Sequence, residues 1–320
     1  MTTASRPAAL LRVRRAALAF TVAGIAAVVY ASAIEPYWIE LRRHTIALPV
    51  DAPLRIVHLS DLHTRGLERR ERALIAIVEA QRPDLIVITG DTVAGGPRDS
   101  LAPDERAAVR RVLAALHAPL GVFAVLGNWE HWRGVRDAGA LFEGTGVRLL
   151  VDDAAPLRPG LWIVGLEDAC VGTSDLKAAF REVPREAVTI VLLHSPSPFP
   201  EVAARAPLAL AGHSHGGQVR LPFLPALWLP PETDGYVEGW YTSGPSRLYV
   251  SRGIGTSILP LRLFCRPEVA VIDVAARAGS GPLSTQRSAI VSSRRADAIH
   301  ASSPAAISNI RSTPASIHTP

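Results

Sequence analysis

The run Ile56-Val57-His58-Leu59-Ser60-Asp61-Leu62-His63 sets the reading of the whole chain. A short apolar, β-branched stretch ends abruptly in a turn that carries a carboxylate and an imidazole two residues apart. β-Branched runs of four to eight residues read as strands, and a continuous apolar run reads as a strand covered on both faces. Four more segments repeat the device: Thr89-Gly90-Asp91, Leu126-Gly127-Asn128-Trp129-Glu130-His131, Leu193-His194-Ser195-Pro196 and Ala211-Gly212-His213-Ser214-His215-Gly216-Gly217. Each begins where an apolar run stops and places groups able to bind a metal in the following turn. Loops at the carboxyl ends of strands are where α/β sheets gather ligands, so the five turns are expected to converge on one crevice.

Working outward, strands are expected at Ile56–Leu59, Leu85–Thr89, Val122–Leu126, Val147–Leu150, Leu161–Leu166, Val188–Leu193, Leu208–Ala211, Leu248–Val250 and Val269–Val274. Leu67, Leu74, Ile75, Ile77 and Val78 recur at helical spacing until Pro83 stops them, and a second helix fits Pro103–His117, with proline in its first turn. The fold class is therefore α/β.

The flanks differ in kind. From Ala16 to Ile34 there is no charged residue, and Arg6, Arg12, Arg14 and Arg15 precede the run. Nineteen residues in a helix span roughly 28 Å, enough to cross a hydrocarbon core. The positive-inside rule puts the N-terminus in the cytoplasm and everything after Glu35 outside. Ala31-Ser32-Ala33 also fits a small-residue cleavage site, so residues 1–40 read equally as an anchor or as an export signal that is removed. Residues 41–276 read as one catalytic-size domain. Residues 277–320 are rich in Ser, Ala, Pro and Arg and hold no aromatic residue, a composition expected to stay disordered.

The chain has 320 residues and a net charge of +5, but the basic excess sits at the two ends, which leaves the domain slightly acidic. That distribution excludes a surface built to wrap a nucleic-acid polymer and suits a membrane-proximal, cation-binding protein. Cys170 and Cys265 form no C-x-x-C pair, which excludes a thiolate zinc site. They read as two buried thiols, or as one disulfide if the domain is exported. His44, His58 and His117 fall outside the ordered pattern and read as satisfied core or surface residues. Asp152-Asp153 and Glu167-Asp168 read as a turn and a strand-end cap. The stretch from Leu221 to Pro231 is apolar but too punctuated by proline for a helix. It reads either as a loop cover or as a surface that meets acyl chains.

Two imidazoles, several carboxylates and an amide oxygen form a mixed set that suits Mn²⁺, Fe or Zn²⁺ and is too rich in nitrogen for Ca²⁺ or Mg²⁺. In this order the five segments resemble the calcineurin-like metallophosphoesterases, whose pattern is D-x-H, G-D, G-N-H-[DE], H and G-H-x-H. The resemblance covers roughly Leu54 to Val274. Gly212–Gln218, Leu248–Gly255, the run Leu259–Glu268 and Glu35-Pro36-Tyr37-Trp38 are similar to the bacterial membrane-tethered branch. That branch includes exported phosphodiesterases and relatives assigned to UDP-2,3-diacylglucosamine hydrolysis.

The resemblance implies two mixed β-sheets packed face to face with flanking helices, preceded by the apolar helix. It implies one divalent ion held by Asp61, His63, Asp91 and His215, and a second held by Asp91, Asn128, His194 and His213. Asp91 then bridges the pair, and a hydroxide between the ions attacks a phosphodiester or pyrophosphate in line. The sequence departs from the family pattern at Trp129, where most relatives carry a histidine that touches the scissile phosphate. No indole can donate that proton. His131, oriented by Glu130, is the expected replacement, with Asn128 beside it in the catalytic role and Arg133 and Trp129 as substrate contacts. Two rivals stay open: a metal-binding cell-envelope interaction protein that lacks turnover, and a metal-dependent amide or ester hydrolase. The latter would want an H-x-H-x-D-H cluster.

Overall fold

The computed structural model describes residues 6–95, 101–133 and 138–277; residues 278–320, all but the first of the expected disordered tail, lie outside them. In chain order the strands are β1 (Glu40–Leu48), β2 (Leu54–Leu59), β3 (Leu85–Thr89), β4 (Val122–Val125), β5 (Val147–Leu149), β6 (Asp153–Arg158), β7 (Leu161–Gly165), β8 (Val188–Leu192), β9 (Leu208–Ala211), β10 (Gly239–Ser243), β11 (Ser246–Val250) and β12 (Glu268–Ala276). The α-helices are α1 (Arg6–Val29), α2 (Arg69–Gln81), α3 (Pro103–Leu113), α4 (Asn128–Trp132), α5 (Ala138–Phe142), α6 (Leu176–Ala179) and α7 (Phe199–Val202).

Two six-stranded sheets result, in the orders β1-β12-β2-β3-β4-β5 and β10-β11-β9-β8-β7-β6. Both are mixed. In the first, β2 to β5 run parallel and β12 pairs antiparallel with β2; in the second, β7, β8, β9 and β11 run parallel, with antiparallel partners at both edges.

Side chains alternate across each strand, and the burial follows that period of two. Ile56, Leu85, Val87 and Val125 of the first sheet meet Ile163, Ile190, Leu192 and Leu210 of the second in the layer between the sheets. Val57, Leu59, Ile86 and Ile88 face the other way and pack under α2 and α3 with Leu74, Val78, Val109 and Leu113. Val164, Val191 and Ala209 pack on Phe199 and Val202 of α7. This is the expected face-to-face arrangement with helices outside.

The local signals act as expected at most boundaries. Arg82 takes a left-handed conformation (φ 49°) after the last turn of α2, just before Pro83. Pro103 opens α3, and the Glu105 carboxylate accepts the Ala102 amide at 3.2 Å. One expectation is corrected: α3 ends at Leu113 rather than His117, and the chain turns at Ala114–Ala115 to bring Leu116 back into the core. Cys170 and Cys265 are free thiols, which removes the disulfide alternative; Cys265 is buried as expected, whereas Cys170 is partly exposed. His44 bonds the Tyr249 hydroxyl and His58 the Thr89 hydroxyl, while His117 is exposed. The Asp152 carboxylate accepts the amides of Glu167 and Asp175, which closes its turn.

Candidate metal centre

The parallel strands of both sheets end on the same side, and every residue expected at the metals lies in the turn after one of them. Asp61 and His63 follow β2, Asp91 follows β3, and Asn128 opens α4 after β4. His194 follows β8, and His213 and His215 follow β9. The turns are stitched together by backbone bonds. The Asp61 amide donates to Gly90 at 3.1 Å and the His63 amide to Asp91 at 2.9 Å, while the Gly212 amide donates to His194 and the Gly255 amide to Asp61. The His213 amide donates to both Asp61 carboxylate oxygens at 3.1–3.2 Å, so one sheet's turn is bonded to the other's.

Holding ligands this close strains the backbone. Asp61, His63, Asp91, His213 and His215 all have positive φ, between 39° and 68°. Such a conformation costs non-glycine residues roughly 1–3 kcal/mol each and persists only where the surroundings over-determine it. The glycines show how tight the crevice is. A Cβ on Gly90 (φ 82°) would lie 2.4 Å from His194 Nδ1, and one on Gly212 would lie 1.7 Å from Ser60 Oγ.

Two sets of ligand atoms converge, each within 4.8 Å of one another: Asp61, His63, Asp91 and His215 in one, Asp91, His194 and His213 in the other. Asp91 belongs to both. All six residues are buried. Asn128 Oδ1 lies 3.1 Å from His194 Nε2, beside the second set.

The hydrogen bonds fix which imidazole nitrogen is free. His63 Nδ1 donates to Val93 O at 3.2 Å, His194 Nδ1 to Thr89 O at 2.7 Å and His213 Nε2 to Pro231 O at 2.8 Å. A carbonyl only accepts, so those nitrogens carry hydrogen and the opposite ones present lone pairs to the cluster. His194 Nε2 and His213 Nδ1 consequently face each other at 3.1 Å, both bare when the rings are neutral. Two buried lone pairs at that distance need a cation between them or a proton on one. His215 Nε2 lies 3.4 Å from Asp61 Oδ1 and 3.1 Å from His63 Nε2, and at its far side Arg262 Nη2 is 3.4 Å from Nδ1, the outer limit of a hydrogen bond.

The electrostatics agree with that need. Burial pushes the Asp61 carboxyl up to about 7, and burial holds His63 down at about 4. Burial also works against the charge on Asp91, but the imidazoles of His194, His63 and His213 outweigh it and keep that carboxylate at about 2. The donor set of carboxylate oxygens and imidazole nitrogens fits two divalent ions of the Mn²⁺, Fe or Zn²⁺ kind.

Around the ligands, the expected supporting residues divide. Trp129 is buried. Its amide donates to Asp91 Oδ1 at 2.8 Å, and its indole stands edge-on to the His63 ring at 5.3 Å. Glu130, expected to orient His131, does not touch it. Its carboxylate accepts the amides of Gly127, Asp91, Thr92 and Val93 at 2.7–3.1 Å, because on a one-turn helix residue 130 points back toward the strand ends while residue 131 points out. Burial and the Asp91 charge raise Glu130 to about 7. His131 is paired instead with Glu167 (Nε2···Oε1 3.0 Å), and that bond raises its pKa. Arg133, expected to meet substrate, has a side chain only 2% exposed and donates to Glu105 at 2.8 Å.

Asp168, expected only as part of a strand-end cap, accepts the amide and hydroxyl of Ser195 and so braces the turn that carries His194. Sequence reasoning missed Glu130 as the clasp of the turns after β3 and β4. The spacing Gly127-x-x-Glu130, that of a helix capping box, is the signal that could have found it.

Comparison with known proteins agrees with this geometry. Residues 54–217 match the family described as calcineurin-like phosphoesterase. Phosphodiesterase YaeI of Escherichia coli (strain K12) is 32% identical over 271 residues, covering 81% of this chain and 96% of that protein. An uncharacterized metallophosphoesterase of Aquifex aeolicus (strain VF5) is 31% identical, covering 76% and 94%, and the uncharacterized metallophosphoesterase YkuE of Bacillus subtilis (strain 168) is 30% identical, covering 76% and 87%. Two divalent ions are the cofactors of such enzymes, and the two clusters sharing Asp91 are the sites able to hold them. The chain is a metal-dependent phosphoesterase and belongs to the calcineurin-like metallophosphoesterase family.

Proposed function

We propose that the protein hydrolyses a phosphodiester or pyrophosphate bond, that its substrate is lipid-linked in the manner of UDP-2,3-diacylglucosamine, and that α1 tethers it to the cell membrane with the domain on the extracytoplasmic side. The observation that carries the chemistry is the shared carboxylate: Asp91 stands in both clusters, with imidazole lone pairs aimed at it from either side. When bound, a pair of divalent ions there supplies Lewis acidity that activates water and neutralises phosphoryl charge.

The chain's own residues divide the remaining work. Asp61, His63, Asp91 and His215 hold one ion, and Asp91, Asn128, His194 and His213 the other. The Trp129 amide fixes the orientation of Asp91, and its indole walls off His63. His131, oriented by the bond from its Nε2 to Glu167, is the group that delivers a proton from Nδ1 to the departing oxygen. Arg133 supports the loop through Glu105. The diester preference draws on the phosphodiesterase named among the relatives. The lipid-linked substrate draws on the apolar segment Leu10–Tyr37, which is long and apolar enough to cross a membrane.

The test is metal analysis of the purified protein together with hydrolysis of bis-p-nitrophenyl phosphate in Mn²⁺, followed by a panel of UDP-2,3-diacylglucosamine, glycerophosphodiesters and cyclic nucleotides. Turnover with two bound ions and a preference for the acylated substrate is expected. Two bound ions with no turnover on any ester would favour the metal-binding interaction protein. Preference for a soluble nucleotide would remove the lipid assignment.

A further inference from the structure

Large apolar side chains crowd one part of the surface. Phe223 is fully exposed, Ile258 is 74% exposed, and Leu227, Trp228, Leu259 and Phe264 are each more than half exposed. They belong to two loops that are bound together as one surface. Val219 bridges Leu263, the Arg220 amide donates to Leu263 O at 2.8 Å, and the Leu263 amide donates to Gln218 O. The Gln218 side chain donates to Ser257 O and Leu259 O and accepts the Ser257 amide. A contiguous apolar surface rimmed by polar groups marks an interaction site.

The apolar N-terminal helix runs into this same surface. The Arg262 amide donates to Ala31 O at 2.9 Å, and the buried carboxylate of Glu35 accepts the amides of Phe264 and Cys265. These bonds fix the end of the helix to the 257–264 loop. Just beyond it, the Arg69 guanidinium lies 5.5 Å from the Tyr37 ring and that of Arg266 lies 4.6 Å from the Trp38 ring. Tyrosine and tryptophan paired with arginine, at the end of an apolar span, is the composition of a headgroup layer.

We infer that the 221–228 and 257–264 loops form a membrane-docking face that sinks into the lipid surface from which α1 emerges. The occupant is a bilayer because one continuous lipid phase covers the loops and the helix together. From Ala16 onward the helix is apolar on all sides, with Phe20 80% and Leu18 65% exposed, whereas a second protein copy on the loops would leave that helix bare. The face is also wired to the metal centre. Pro231, where the first loop ends, accepts the His213 ring, and a Cβ on Gly217 would lie 2.6 Å from Ala226 Cβ, so the loop rests on the turn that carries His215. Docking of this face would therefore bring the turns that carry His213 and His215 close to the lipid surface.

The inference rests on the tethered reading above, and spin-label accessibility separates the two. In the full chain with Cys170→Ser, single cysteines replace Phe20, Phe223, Ile258 or the exposed Glu186; the spin-labelled proteins are reconstituted into vesicles of phosphatidylcholine and phosphatidylglycerol. Thermal melts confirm folding. Labels at 20, 223 and 258 are expected to lose relaxation by water-soluble chromium oxalate and to gain it from oxygen, while 186 behaves as in water. If 20 is shielded but 223 and 258 respond like 186, the docking face is wrong and the tether stands. If 20 is also in water, both fail. Shielding of 223 and 258 that vanishes on dilution with lipid and brings dipolar broadening would assign the face to a second copy and overturn the proposal.

Discussion

Glu130 Oε2 accepts the backbone amide of Asp91 at 3.1 Å, and so the bridging ligand of one loop is positioned by a carboxylate from another. With Gly127, Thr92 and Val93 it holds four buried amides. Glu130→Ala orphans all four, and at about 1 kcal/mol each the unfolding free energy is expected to fall by about 3–4 kcal/mol in urea denaturation. Mn²⁺ affinity, read by titration calorimetry, is expected to fall about 10–100-fold. Glu130→Gln keeps one accepting oxygen and should recover part of both losses.

Asp91→Asn removes the charge that both clusters share. Bound metal is expected to drop below two ions per chain, with turnover of bis-p-nitrophenyl phosphate reduced about 10²–10³-fold. Chelation of the parent protein should also lower its thermal midpoint, since saturating metal at about a hundred times its dissociation constant contributes roughly 2.7 kcal/mol. A midpoint unmoved by chelator would show that the facing lone pairs of His194 and His213 are satisfied without an ion.

The His131–Glu167 pair predicts a dependence on the leaving group. His131→Ala is expected to slow an alkyl phosphodiester about 10–100-fold while leaving a p-nitrophenyl ester, whose phenolate departs unaided, nearly unchanged. Glu167→Gln should shift the alkaline limb of the alkyl-ester pH profile downward, because the acid must be protonated to act and it is the Glu167 bond that raises the imidazole pKa. Equal losses on both esters would assign His131 a structural role.

His58 makes the fold acid-sensitive. It is wholly buried in β2, bonded to the Thr89 hydroxyl at 2.8 Å, and burial holds its pKa down at about 3. The unfolded chain takes up this proton near 6.5 and the folded chain refuses it. Stability is therefore lost as pH falls below about 6.5, at up to about 1.4 kcal/mol per pH unit, or roughly 2 kcal/mol by pH 5. The urea midpoint should fall between pH 7 and pH 5, and His58→Gln should flatten that slope.

The parts of the fold legible in the sequence were those whose physics is local. All nine expected strands are present, and eight of them are central strands, whose covered faces demand apolar runs; β5 is the one edge strand among them. The three unforeseen strands, β1, β6 and β10, each sit at the edge of a sheet. Edges are polar or interrupted: β1 carries the consecutive polar residues Arg42, Arg43, His44 and Thr45, β6 contains Pro156, and β10 begins at Gly239. The ligand turns were legible because each follows an apolar run directly. The pairing of His131 with Glu167 was not, because the two are 36 residues apart and meet only when β4 and β7 come together through separate sheets.

Each candidate ion position draws on both layers of the sandwich. Asp61, His63 and Asp91 come from the first sheet and His215 from the second, and Asp91 is opposed by His194 and His213. Seated ions would act as rivets through a laminate, so that on heating the metal must leave before the layers can slide apart. Cut away from its neighbour, the first layer loses His215 from one cage and both His194 and His213 from the other.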